Sequence, residues 1–439
     1  MRTRFDTLFF FCYNKYYSVH SVYSALSGEV NLLRAQSQIS YSEQTFRALF
    51  DRKAVCFLLP FFALCLPMFY WIATDHNFYP DAYYMLHYIY TYKHGFHSRG
   101  LIGEIISWFA DTVSPELERT VVIFGSFFLI FCASLCIAYA LHRTRSDPQR
   151  FWSVFFLILF LCLSATGYRF YVGEGKLDQF FWAVLFLAVF LSEFRIGVWF
   201  VPPLCLLAVL INPVFLMSCM PIIALALLQK LHDEHGSKKM ILICAAAYLG
   251  MIALGLFSLI SENHLGFETS EEYLRFYGAR YTDPSFFTKE NFDELYILGI
   301  YDYFHPLSDC FRHTFHVYFL ESGWPSDVTN TLLVALPIYP IITVFWLHCK
   351  KSAGDLLQKL IFLFCALASL LYVLMAVLSW ETPRYVACNT DTHLCLLIYF
   401  LVHANVSVLK VWEDAKCFCG KHKVSVAVFA MYLSVFFAQ

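Results

Sequence analysis

Asp81, Lys93, His97 and Arg99 fall in one short stretch between Pro80 and Gly103. A carboxylate can take the proton from a hydroxyl, and a cation can steady a departing phosphate. Together they suit group transfer from a phosphorylated donor to an alcohol. Asp81 is the candidate base. Arg99 is the stronger phosphate partner, because its planar fork matches two phosphate oxygens where the Lys93 ammonium offers a point charge. Arg384, three residues after Glu381, is a second candidate cation. Arg169, Glu174, Lys176 and Asp178 put four charges into one short loop, with Gly173 and Gly175 between them, as the wall of a polar site would. The same residues also have plainer uses. Asp81 after Pro80 complements a helix dipole, Arg99 can snorkel to lipid headgroups, and Glu381 with Arg384 can cap a helix.

The surroundings of these residues are apolar. Of 439 residues 59% are hydrophobic and only 15% charged, against about 25% charged in a soluble domain. Mean hydropathy is +0.57 over the whole length, more than one anchor helix can supply. The expected fold is an all-α integral membrane protein. A net charge of −2 without a Lys/Arg tract excludes a nucleic-acid partner. Most of the 16 Cys lie within apolar runs and act as small hydrophobes rather than as a disulfide scaffold.

Apolar runs predict eleven spans, near 54–74, 120–141, 151–168, 179–192, 196–211, 213–229, 240–260, 330–347, 357–380, 392–409 and 424–438. Residues 1–53 then form a cytoplasmic N-terminal segment. Residues 54–439 form one polytopic domain with two large outer loops, 75–119 and 261–329. Lys/Arg bias sets the orientation: Arg143, Arg145, Lys238, Lys239, Lys350, Lys351, Lys421 and Lys423 all fall on the inner side. Two crossings in 179–229 would move Lys238 and Lys239 outward, so three are expected there. Asn212-Pro213, Pro202-Pro203 and Pro221 break the helices of that region, as happens beside cavities. Short loops and the absence of an outer glycosylation sequon favour a bacterial inner membrane.

In the first outer loop Met85, Ile89 and Tyr92 share one helical face, and Gly95 stops the helix. This pattern predicts an interfacial helix rich in Tyr. An acidic residue just after the first span, opening such a helix, resembles the first outer loop of the GT-C class of polytopic glycosyltransferases. That class commonly carries a pair of acidic residues here, whereas Pro80-Asp81-Ala82 carries one. The resemblance implies sugar transfer from a polyprenyl-phosphate-linked donor to a glycan acceptor at the outer face, in cell-envelope polysaccharide assembly. It implies Asp81 as catalytic base and Arg99, Lys93, His97 and Arg384 as phosphate or substrate ligands, with Glu174 and Asp178 nearby.

The second outer loop is acidic and aromatic, with amphipathic helical pieces at 267–277 and 292–303. Such a surface suits sugar stacking, and equally a lid. His94 and His97, like His313 and His316, have the spacing of two ligands on one helix face. A divalent metal is compatible with either pair, but no third ligand follows at fixed spacing. Two other readings stay open: a transporter or flippase for an amphiphilic or lipid-linked substrate, and a non-catalytic membrane assembly protein. A transporter would need a polar path through the bundle, and the sequence shows almost no ionisable residues at mid-span.

Overall fold

The structure is a computed structural model. It describes residues 52–73, 82–96, 99–163, 177–194, 196–212, 220–233, 266–283, 326–378 and 382–428, with single positions between 246 and 316 and at 431. Side chains at 71, 82–84, 221, 231–233, 326–337, 369–378 and 382–385 are outside that description. The chain divides into two units, Met1–Cys56 and Phe57–Gln439. Apart from 53–56, every described helical residue belongs to the second unit.

The described residues are helical. In chain order the helices are α1 (Lys53–Ala73), α2 (Ala82–Ile89), α3 (Leu101–Ser107), α4 (Pro115–Thr144), α5 (Pro148–Leu163), α6 (Asp178–Ser192), α7 (Val201–Ile211) and α8 (Met220–Asp233). They continue with α9 (Ser270–Gly278), α10 (Ser326–Ser352), α11 (Leu356–Leu378), α12 (Thr382–Val402) and α13 (Val406–Lys421). Among them Lys53–Tyr70 and Pro115–Thr144 are long and apolar enough to cross a membrane, and a third span results if the bent pair α12–α13 is one. Shorter apolar helices occupy Pro148–Cys162, Asp178–Ser192, Gly197–Ile211 and Leu356–Ala368. These helices are compatible with membrane insertion.

Small residues let the helices approach closely. α4 packs along α6 in the most extensive contact of the bundle. A Cβ on Gly125 would lie 2.6 Å from the Phe180 ring, and Gln179 Nε2 donates to the Val122 carbonyl at 3.1 Å. α12 is the central element, touching α4, α5, α8, α10, α11 and α13.

Helix ends sort into two groups. Leu177 before α6 and Ile211 at the end of α7 share a core with Val113 and Val122. The far end of α6 meets the far end of α8, where the Lys230 ammonium donates to the Ser192 carbonyl. Thus α6 and α7 run in opposite directions, and α8 finishes beside the end of α6.

Two expectations about local structure are corrected. The interval 380–391, read as a turn, is helical from Thr382 onward, and the span drawn at 392–409 ends at Val402. Ala404 takes a left-handed φ of 52°, and Asn405 caps the next helix, accepting from Val408 N–H at 3.1 Å. The chain then turns by 112° into α13, which Gln149 ties back by donating to Glu413 at 2.8 Å. A cap satisfies the orphan N–H groups of a new helix, so the break costs little where an apolar count sees continuity.

Candidate functional site

The first outer loop is built in short pieces. α2 stops at Ile89, and Tyr90 and Thr91 lead into a single 3-10 turn, Tyr92–His94. Gly95 follows at φ 134°, a conformation that favours glycine. The expected helix running up to Gly95 is therefore several residues too long. Met85 through Tyr90 are all buried. Glu104 holds the turn, accepting from Tyr92 N–H at 2.9 Å and from the Trp108 indole at 3.2 Å. α3 crosses tightly under α2, and a Cβ on Gly103 would collide with the carbonyls of Tyr90 and Tyr88.

The cover over α2 comes from the second outer loop. Thr269 caps α9, its hydroxyl accepting from Glu272 N–H. The helix turns Tyr273 and Tyr277 onto Tyr90, at ring distances of 6.0 and 5.2 Å. The His94 ring packs on Phe267 and Phe276 at 4.9 and 4.4 Å. Main-chain and side-chain bonds fix the register. Gly266 N–H donates to His94 O (3.0 Å), and Thr282 N–H donates to Val113 O (3.0 Å). The Tyr277 hydroxyl donates to Thr91 O at 3.2 Å, and the Arg280 guanidinium donates to the Ile89 carbonyl. Tyr281 forms a parallel bridge with Val113, the one extended pairing among the described residues.

A carboxyl group is enclosed beneath this cover. Ser114 caps α4, accepting from Leu117 N–H at 3.2 Å, and Pro115 opens the helix. Glu118 is then 1% exposed. The Tyr281 hydroxyl donates to Glu118 Oε2 at 3.0 Å, while Oε1 has no hydrogen-bond partner among the described residues. Buried Tyr88 lies within electrostatic reach of both Glu118 and Asp178. Burial raises the Glu118 carboxyl to about 8, against the opposing pull of the Tyr281 bond. Glu118 precedes the apolar run that begins at Thr120, so it belongs to the outer loop as read from the sequence. Burial first, and then repulsion from Glu118, also push the Tyr88 and Tyr281 phenols well above the usual range. Near neutral pH Glu118 is therefore largely a proton donor, unlike an exposed carboxylate.

The predicted site residues are distributed unevenly. Asp81, His97 and Glu174 lie outside the described residues, as does the side chain of Arg384, whose backbone is in the first turn of α12. Lys93 is exposed on the 3-10 turn. Arg99 Nη1 donates to His87 Nε2 at 3.2 Å, so the neutral His87 ring carries its proton on Nδ1. Asp178 opens α6 and is buried, 7% exposed, below Tyr88. Among the described residues no three His, Cys, Asp or Glu side chains stand together as metal ligands.

Sequence reasoning missed Glu118, His87, Arg280 and Tyr281. A signal for Glu118 existed: with Val122, Gly125 and Leu129 it follows the i, i+4, i+7, i+11 stripe that α4 buries. No family model, curated protein or solved structure matches this chain.

Proposed function

We propose that this chain is a polytopic membrane protein of eleven spans with a cytoplasmic N-terminus, in a bacterial inner membrane. In this reading it transfers a sugar from a polyprenyl-phosphate-linked donor to a glycan acceptor at the outer face, during cell-envelope polysaccharide assembly. The observation that carries the reading is the docking of the second outer loop on the first. It encloses Glu118 at the end of the bundle where Arg99, His87 and Asp178 also lie. The opposite directions of α6 and α7, with α8 finishing beside the end of α6, support the parity on which the orientation rests.

Asp81 takes the acceptor hydroxyl proton as the glycosyl bond forms, and the sugar leaves its phosphate. Arg99, with Lys93, His97 and Arg384, offsets the charge gained by that phosphate. Glu174 and Asp178 form the polar wall for sugar hydroxyls. The test is a profile of glycans and lipid-linked sugars in a null strain rescued with wild type or Asp81→Asn. Loss of rescue at matched membrane level, with a lipid-linked precursor accumulating, is the expected result. Full rescue retires Asp81 as base.

A further inference from the structure

α12 carries a second set of polar groups, away from the outer loops. Asp391, Cys395, Tyr399 and His403 recur every four residues, so they climb one strip of the chain in steps of about 6 Å. Asp391 is 1% exposed and Tyr399 is buried. Because α12 packs on α4, α5, α8, α10 and α11, the strip runs through the bundle rather than over its surface. Cys395 lies within electrostatic reach of Asp391, of Cys136 on α4 and of Cys162 on α5. The Tyr399 hydroxyl donates to the Ala226 carbonyl of α8 at 2.9 Å. Among the described side chains of α10 and α11, Trp346 and Phe362 pack on Phe400, and Tyr339 faces Cys388 and Asn389. Trp346 Nε1 also donates to the buried His393 Nδ1 at 3.0 Å, which leaves the ring proton of His393 on Nε2.

The strip ends in an ionisable cluster where four helices finish. The His403 ring stacks on Tyr399 at 4.4 Å and its Nε2 meets Glu193 Oε1 at 3.0 Å. Glu193 Oε2 accepts from the Tyr139 hydroxyl at 2.7 Å. Lys230 faces Glu193 from α8, and Arg143 faces Tyr139 on α4. Burial raises the Glu193 carboxyl, but His403, Tyr139 and Lys230 outweigh it and hold the group below the ordinary range. The result is an imidazole against a carboxylate at the mouth of the strip and a carboxyl at its inner end. An ionisable group inside an apolar bundle is costly to keep charged, and chains of Asp, Glu and His in such positions move protons.

We propose that Asp391 is a proton-binding site in the bundle interior, exchanging with solvent at the Glu193–His403 end by way of Cys395 and Tyr399. A hydronium ion at that end protonates the imidazole–carboxylate pair, and the pair passes one proton inward to the Asp391 carboxylate. The pair is thereby returned to its starting state, so one proton enters and one negative charge is neutralised. This site is independent of the outer-face transferase reading.

The test uses the full chain in lipid nanodiscs, carrying Glu118→Gln so that the outer carboxyl does not contribute. Infrared difference spectra are recorded against pH and after transfer to deuterated buffer. A protonated-carboxyl band that titrates, and that disappears on adding Asp391→Asn in protein of unchanged gel-filtration profile, is the expected result. Adding Glu193→Gln instead should keep the band and slow its deuterium shift by about a hundredfold. Survival of the band in the Asp391→Asn protein overturns the site. An unchanged deuterium shift in Glu193→Gln overturns the route, and that variant decides the matter if Asp391→Asn does not fold.

Discussion

Glu118→Gln isolates the energetics of the outer cover. The carboxyl moves from an ordinary 4.5 to about 8 on burial. At about 1.4 kcal/mol per pH unit this is about 5 kcal/mol, or an equilibrium constant changed about three thousandfold. Between those two values the closed state holds a proton that the opened state has released, so raising the pH favours opening. Below about 4.5 both states are protonated and above about 8 both are ionised, so the dependence is flat on either side. The opening concerns the Tyr281 segment, whose amides are protected by Thr282 N–H donating to Val113 O and Val113 N–H donating to Arg280 O. Hydrogen exchange measured by mass spectrometry on peptides covering 110–114 and 277–283 reads it directly. After correction for intrinsic rates, wild-type protection should fall by about three orders of magnitude from about pH 5 to pH 8. Gln keeps an acceptor for Tyr281 and cannot titrate, so the variant should be flat. Flat protection in the wild type, or an equal fall in both proteins, refutes the argument.

Other perturbations test other joints. Gly103→Ala places a Cβ against the backbone carbonyls of Tyr88 and Tyr90. Backbone cannot yield as a side-chain end can, so a loss of about 2 kcal/mol or more is expected, read as a lower melting temperature. Ser114→Ala removes the acceptor for Leu117 N–H and should cost about 1 kcal/mol in the same assay. Glu193 is held below its ordinary range by His403, Tyr139 and Lys230 despite burial. Its contribution is therefore complete above the ordinary carboxylate value and is lost as pH falls through the lowered one. Melting temperatures below about pH 5 should thus drop more steeply in the wild type than in Glu193→Gln, and parallel curves would exclude that linkage.

How far the sequence speaks depends on the kind of question. Apolar runs located the helices well: 54–74 became Lys53–Ala73, 179–192 became Asp178–Ser192, and 357–380 became Leu356–Leu378. A run of apolar residues too long for a loop has to satisfy its backbone internally, and that requirement is local. Helix ends were less legible. Gly95 marked a real stop, but α2 had already ended at Ile89, because burial of Tyr90 under Tyr277 outweighed continued helical hydrogen bonding. Val402 ends α12 through an Asn405 cap inside an apolar stretch, where hydropathy sees no boundary.

The candidate site divides in the same way. That charge and aromatic residues gather in 75–119 and 261–329 is a property of the sequence, and so is the presence of both Asp81 and Arg99 in the first loop. Which carboxyl is enclosed is not. Glu118 is buried because Tyr281, 163 positions away, donates to it, and because α9 covers α2 with Tyr273 and Tyr277. The four-residue recurrence from Asp391 to His403 is equally present in the sequence. Its direction into the bundle follows only from the packing of α12 among six other helices. Hydrophobic pattern is written residue by residue and sets what must be helical and withdrawn from water. The protonation and partners of a polar group depend on which distant segment covers it, and only the tertiary structure decides that.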